Sequence, residues 1–305
     1  MVKFSVVSPV YKAETTVEEL VRQVKAAVSK ITEDYEIILV DDGSPDQSWL
    51  RIEQICATEP SVKGIKLSRN FGQHYAVTAG LCEASGDLIL ILDCDLQDDP
   101  ANLSLLMNEH IKGNEIVFTT RIKRRHTLRK RIYAGIYNAL FGFFSERSYD
   151  VNAGSMVLFT KKVKDNIIRL QDRDRLYLQM LKWVGFTSTY VPVEHRPRHS
   201  GKSSYNMVKL LTMALQGWTS HSDKLLKFSI YGGFILSFLT FLISIVIVIR
   251  YFTEGLQPGW PSLFIAIMFS TGLILMSIGI TGIYIGKIFE QSKNRPLYIV
   301  EKRVN

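Results

Sequence analysis

Residues 88–100 read LILILDCDLQDDP. Five aliphatic residues run straight into four aspartates, Asp93, Asp95, Asp98 and Asp99, spread over seven positions. A near-continuous aliphatic run that ends in turn residues reads as a strand covered on both faces. Open α/β sheets bind ligands beyond the carboxyl ends of their strands. Acidic charge collected at this exit therefore marks a candidate site.

The segments before it have the same build. Phe4–Ser8 is a short β-rich run. Thr16–Ser29 follows, with Val17, Leu20, Val21, Val24 and Val28 at helical spacing. Tyr35–Val40 is a second strand and ends in the turn Asp41-Asp42-Gly43-Ser44. A helix over Ser48–Thr58, a strand over Val62–Leu67 and a helix over His74–Ala84 lead into Leu88–Leu92. This alternation predicts a parallel α/β sheet with helices on both faces. Asp41-Asp42 and Asp93–Asp99 both fall at its carboxyl edge.

The sheet lacks the common phosphate loops. No G-x-G-x-x-G follows the first strand, and no G-x-x-x-x-G-K-[ST] occurs anywhere. Dinucleotide oxidoreduction and P-loop hydrolysis are thereby disfavoured. A nucleotide can still be held if a metal neutralises its diphosphate. Asp93 and Asp95 are two apart, so on an extended backbone both carboxylates point the same way. Hard oxygen ligands favour Mg²⁺ or Mn²⁺, which bridge protein carboxylates and substrate phosphates. An EF-hand fails, because the sixth position from Asp93 is Asp98 rather than Gly and the twelfth is Ser104 rather than Glu. The plainer alternative is a solvated turn, with Asp98 or Asp99 capping a helix that starts near Pro100.

Composition turns the reading toward a membrane. The chain has 305 residues, 47% of them hydrophobic, yet carries a net charge of +8. No Asp, Glu, Lys or Arg occurs from Phe228 to Ile249 or from Gly255 to Gly286. Each gap is long enough to cross a bilayer, which takes roughly 20 residues. Buried core helices are usually shorter and one-sided. The linker between the gaps has no basic residue beyond Arg250 at its edge, whereas Lys224, Lys227, Lys287, Lys293 and Arg295 lie on the other side. The positive-inside rule puts both termini in the cytoplasm. Tyr251 and Trp260 fit an interfacial aromatic belt. The three cysteines form no C-x-x-C pair, which argues against a disulfide framework or zinc site and suits a reducing compartment. The N-terminal MVKFSVVSPVYK does not read as a signal peptide.

Two further segments carry basic and apolar character together. Residues 121–131 hold seven basic residues in eleven. Ile132, Tyr133, Ile136, Tyr137, Leu140, Phe141 and Phe144 then form an apolar stripe. That combination reads as a helix lying in the membrane interface rather than a nucleic-acid patch. Tyr205–Leu226, with Met207, Leu210, Leu211, Ala214, Leu215 and Trp218, offers a second such helix. The plainer reading is that both stripes pack on the domain core. Before the second segment, HRPRHSGKSSYN is a basic, Gly-containing loop in which Arg198 can clamp a phosphate bidentately. The competing reading is a generic basic loop beside a membrane.

VVSPVYKAE, VDDGSPDQS, LSRNFGQHYAVTAGL and LDCDLQDDP, in this order and followed by two C-terminal spans, resemble glycosyltransferase family 2. Within it the chain resembles the bacterial polyisoprenyl-phosphate glycosyltransferases of the GtrB type, relatives of dolichol-phosphate mannose synthase. The resemblance implies a GT-A (Rossmann-like) α/β catalytic domain over 1–226, including amphipathic juxtamembrane helices at about 128–146 and 205–226. It implies two transmembrane helices at about 228–250 and 261–286 within 227–288, and a cytoplasmic tail over 289–305. The activity implied is inverting transfer of one sugar from a nucleotide-sugar, read as UDP-linked, to a polyprenyl phosphate such as undecaprenyl phosphate, for cell-envelope glycan modification. The place is the bacterial inner membrane, with the catalytic domain facing the cytoplasm.

Carried over by position, Asp95 is the direct ligand of Mg²⁺ or Mn²⁺, with Asp93 toward the metal or the ribose. Pro9, Tyr11 and Asp42 line the nucleoside pocket with Arg69 nearby, and Gln97 faces the sugar; Arg198, read from the basic loop itself, is the further candidate for the phosphate chemistry. Partners implied are the donor, the lipid acceptor, membrane lipids and further copies of the chain as a tetramer, with no nucleic acid. The sequence departs from the pattern twice. The family often reads G-x-S-K-[YW] after the basic loop; here Ser204 takes the Lys position and Lys202 lies two residues earlier. The family's G-D-F place reads Asn152-Ala-Gly-Ser-Met-Val-Leu, so Ser155 stands where a candidate catalytic Asp would be, with Asp150 close by. A second reading follows: a membrane-anchored nucleotide-sugar binder that scaffolds other enzymes without turnover. A processive polymerase is disfavoured by the lack of Q-x-x-R-W and by too few spans.

Overall fold

The computed structural model describes residues 3–121, 153–194, 224–254 and 259–305. Its strands and helices alternate from the start: β1 (Phe4–Val10), α1 (Val17–Val28), β2 (Tyr35–Asp41), α2 (Ser48–Thr58), β3 (Val62–Leu67), α3 (Gln73–Glu83) and β4 (Leu88–Ile91). Every boundary lies within two residues of the sequence expectation. A 3₁₀ turn (Pro100–Asn102), α4 (Leu103–Ile111), β5 (Ile116–Arg121), β6 (Ala153–Thr160), α5 (Lys161–Arg169), α6 (Tyr177–Trp183) and β7 (Ser188–Val193) follow.

One sheet of eight strands has the order β7-β5-β6-β4-β1-β2-β3-β8, where β8 is Val300–Val304. The four strands expected to be parallel are parallel: β1 pairs with β2 and β4, and β2 with β3. The later strands make the sheet mixed, because β6 runs antiparallel between β4 and β5 and β8 runs antiparallel to β3. The aliphatic runs are continuous because each strand feeds two cores. Val6, Leu39, Leu90 and Leu92 pack with α1, α2 and α4 on one face. Val7, Ile38, Val40, Ile89 and Ile91 pack with α3, α5 and α6 on the other. Gly80 lets α3 lie close on this second face, since a Cβ there would stand 2.4 Å from Val7 Cγ1.

The described residues of a second compact unit, 224–254 and 259–294, hold α7 (Lys224–Glu254) and α8 (Trp260–Ser292), which pack on each other. The first uncharged gap lies within α7, and the second, from Trp260 onward, within α8. At 1.5 Å per residue, 31 and 33 residues are each longer than a bilayer core of about 30 Å. Among the described residues, one helical stretch, Phe269–Ser292, is long and apolar enough to cross a membrane. The basic segment 122–131, both expected interfacial helices up to residue 223, Arg198 and Lys202 lie outside the described residues.

The segment expected as a tail contributes β8 to the sheet. It pairs with β3 from Gly64↔Val304 to Leu67↔Val300, and Asn305 Nδ2 donates to the carbonyls of Cys56 and Val62 at 2.8 and 2.9 Å.

Candidate functional site

Three adjacent strands, β4, β1 and β2, deliver the site residues to one edge of the sheet. At the end of β2, Asp41 and Asp42 are buried, 0% and 2% exposed. Asp42 accepts from the backbone N–H of Phe71 (2.8 Å) on one oxygen and of Gly72 (2.9 Å) on the other. It therefore clamps the loop that joins β3 to α3. Gly43 completes the clamp at φ 64°, where a Cβ would lie 2.5 Å from the Arg69 carbonyl carbon. Only glycine fits both that backbone and that approach. Burial pushes the carboxyls of Asp41 and Asp42 above their ordinary value, while the Ser44 side chain and N–H on Asp41, and the Phe71 and Gly72 N–H groups on Asp42, pull the other way. Arg69 is exposed, its guanidinium 4.3 Å from the Phe71 ring centroid. Pro9 is buried in β1, and Tyr11 just beyond it is 44% exposed.

The acidic loop after β4 differs in one respect from the extended backbone expected of it. β4 ends at Ile91, residues 94 and 95 turn, and Leu96 stands at φ 58°. Same-side projection of Asp93 and Asp95 therefore does not follow from strand alternation. Gln97 N–H donates to Asp95 Oδ1 at 3.1 Å. Gln73 Nε2 donates to Asp93 Oδ1 at 2.6 Å. Gly72 binds Asp42 and the next residue binds Asp93, so both acidic groups converge on the N-terminus of α3, the end of a helix that favours negative charge. Cys94, between the two aspartates, has its thiol pushed up to about 12, foremost by burial, so it stays protonated and is no nucleophile.

The remaining two aspartates part company. Asp99 caps the 3₁₀ turn, accepting from Ala101 N–H at 3.0 Å with Pro100 at its start. Asp98 does not cap; it is 2% exposed and accepts from Ser155 Oγ at 2.5 Å. The carboxylate that position 155 lacks is thus next to it, supplied by the acidic loop. Ser155 is held in turn by Tyr177, whose hydroxyl donates to the Ser155 carbonyl at 3.1 Å. The Tyr177 ring lies 5.5 Å from that of His74. Burial pulls the pKa of His74 down to about 4, so its imidazole is neutral at pH 7. Gln73, His74, Tyr177 and the Asp98–Ser155 pair escaped the sequence reading. Only Gln73 left a local signal, as a polar residue following Gly72 at a helix start.

Among the described residues no three His, Cys, Asp or Glu side chains gather to hold a metal ion by themselves. The donor set of Asp93 and Asp95 is of the kind that Mg²⁺ or Mn²⁺ takes. They are hard oxygen donors, two in number, at a carboxyl edge, and Mg²⁺ or Mn²⁺ commonly takes one or two protein carboxylates and completes its shell with substrate phosphates and water.

The profile of glycosyl transferase family 2 matches residues 5–167. The chain is 34% identical over 303 residues to the uncharacterized glycosyltransferase YkcC of Bacillus subtilis, covering 99% of this chain and 94% of that one. It is 33% identical over 303 residues to the SfII prophage-derived bactoprenol glucosyl transferase of Shigella flexneri, covering 98% of each. In fold it is similar to glucosyl-3-phosphoglycerate synthase from Mycobacterium tuberculosis, solved with Mn²⁺, UDP and glucosyl-3-phosphoglycerate. That similarity has a TM-score of 0.50 at 17% identity, covers 72% of this chain and 78% of that one, and speaks to the fold alone.

Proposed function

Since the chain belongs to glycosyltransferase family 2, we propose that it transfers a single sugar from a nucleotide-sugar, UDP-linked by resemblance, to a polyprenyl phosphate such as undecaprenyl phosphate, with inversion at the anomeric carbon. The observation that carries this is the convergence of Asp42 and Asp93 on the start of α3 at the carboxyl edge, with Asp95 two residues on, in a chain that matches a bactoprenol glucosyl transferase over 98% of both lengths.

The residues divide the work. Asp42 holds residues 69–72 in place and, with Pro9, Tyr11 and Arg69, forms the wall for the nucleoside. Asp95 and Asp93 would hold Mg²⁺ or Mn²⁺, whose charge offsets that building on the departing diphosphate. Gln97 faces the sugar. Arg198 and Lys202 would take the acceptor phosphate from the basic loop, Arg198 bidentately. That phosphate is already an anion, so its oxygen can attack the anomeric carbon opposite the leaving diphosphate without a strong general base. The protein's main contribution is then to position two anionic reactants and to offset their charge.

A membrane-borne acceptor calls for a membrane-bound enzyme. We read α7 and α8 together as two spans. The chain leaves the sheet after β7 and rejoins it as β8, beside β3. Both ends of the intervening segment therefore lie on one side of any bilayer, which requires an even number of crossings. If Phe269–Ser292 crosses, α7 supplies the return.

The test is direct. Purified protein with Mn²⁺ or Mg²⁺, a panel of nucleotide-sugars and undecaprenyl phosphate should yield a glycosylated lipid, identified by mass, from one donor of the panel. Asp95→Asn should lower turnover at least about 100-fold. Unchanged turnover in that variant would sink the cation assignment. Nucleotide binding with no lipid product from any donor would favour the scaffold reading instead.

A further inference from the structure

We propose that Gln73 and Ser155 are positioning residues that hold the acidic loop, residues 93–98, in a strained shape that presets Asp93 and Asp95 for a divalent cation. This rests on the reading of that loop as the donor and cation site.

The strain is at Leu96. Its φ of 58° lies in the left-handed region, and its side chain is 6% exposed within the first core. For a branched L-residue that conformation costs about 1–2 kcal/mol. Such strain persists only where the surroundings over-determine it. Here the loop is pinned at both ends and in the middle. Gln73 Nε2 takes Asp93 at 2.6 Å, Ser155 Oγ takes Asp98 at 2.5 Å, and Gln97 N–H takes Asp95 at 3.1 Å. The two outer donors stand on regular elements, Gln73 on the first turn of α3 and Ser155 in β6. Those elements are joined behind the loop. Tyr177 of α6 donates to the Ser155 carbonyl, and its ring lies against His74, the residue after Gln73. The result is a closed circuit from α3 through the loop to β6 and α6 and back to α3. Such supporting partners hold metal-binding carboxylates within the tolerance that cation affinity requires.

The serine is chemically matched to this task. A hydroxyl can donate to the buried Asp98 carboxylate. An aspartate at 155 would set a second carboxylate against it, and two carboxylates that close cannot both ionise comfortably. Ser155 thus acts as a donor to the loop, not as a failed base.

The experiment uses the full-length protein and reads Mn²⁺ binding in the presence of UDP, from loss of the free-ion paramagnetic signal, alongside turnover. Gln73→Ala and Ser155→Ala should each weaken Mn²⁺ affinity about 10-fold, with turnover at saturating Mn²⁺ largely retained. Ser155→Thr, which keeps the hydroxyl, should bind like the wild type, and Ser155→Asp should bind worst. Gln73 is exposed, so Gln73→Ala remains decisive even if Ser155→Ala folds poorly. Mn²⁺ affinity unchanged in Gln73→Ala, or turnover raised in Ser155→Asp, would overturn the inference. A wild-type protein that binds neither Mn²⁺ nor UDP would overturn the cation-site reading beneath it, a different result from bound Mn²⁺ that ignores the substitutions.

Discussion

Glu36 and Asp42 are both buried acids of the β2 region, and their environments show how the same carboxyl group serves two ends of a sheet. Glu36, 4% exposed near the start of β2, accepts from Ser5 Oγ at 2.6 Å, from Ser85 N–H and Oγ at 2.7 Å each, and from Lys63 Nζ at 2.6 Å. Burial alone would raise its pKa. The Lys63 ammonium and the serine donors outweigh burial and pull it down to about 2, below its ordinary 4.5. A carboxyl depressed in the folded state adds stability above its unfolded pKa and loses it as pH falls toward the folded value. Glu36→Gln should therefore lower stability by about 2–4 kcal/mol at pH 7, and its deficit relative to wild type should shrink as pH drops from 4.5 to 3. Denaturant unfolding of both proteins across that range is the check; a deficit independent of pH would refute the ion-pair account. Asp42 feels the Arg69 charge only as a lesser pull beside its burial. Its partners are backbone N–H groups of the loop beside the site, so its burial shapes the pocket rather than bracing the sheet.

Among the elements, β8 changes the picture most. It lies on the edge of β3 and is tied by Lys66–Glu301 (2.9 Å), Lys302–Glu53 (2.5 Å) and Arg303–Glu83 (3.1 Å). These pairs are largely exposed, and such pairs contribute about 0–1 kcal/mol each. The ladder matters more, together with Tyr298 and Val300, which pack on the second core. Ser68 N–H also bonds to Ile299 O at 2.9 Å, one residue before Arg69, so the approach to β8 steadies the nucleoside loop. A chain ended after Ile299 should melt several degrees lower and aggregate more readily, because the β3 edge would be bare. Lys302→Glu should shift the midpoint far less. Circular dichroism melts decide it, and an unshifted midpoint in the shortened chain would rule out a stabilising ladder.

At the scale of the whole molecule, the sheet and the helices α7 and α8 make one topological statement. On the proposed two-span reading, the return of the chain to the sheet as β8 keeps both ends of the apolar segment on the side of the sheet and its site residues. Gln257→Cys, between the helices, should react with a membrane-impermeant maleimide in intact cells. Cys82, exposed on the sheet unit, should react only after lysis and serves as the internal control. Equal labelling of both before lysis would refute the two-span topology.

How far these features were legible follows from their range. Strand and helix positions up to Ile91, the carboxyl-edge acids and the two apolar helices were determined by the sequence itself. Periodicity, turn chemistry and charge-free length are local properties, readable without knowing what packs where. The order of the sheet was decided only by the tertiary structure, which inserts β6 between β4 and β5 and recruits β8 beside β3. It also decided that Asp98 leaves the helix start to Asp99 and meets Ser155, a partner 57 positions away. A hydrogen bond between distant residues leaves no period and no spacing in the chain. It exists because burial of two cores brings β6 against the acidic loop, and a buried carboxylate must then find a donor.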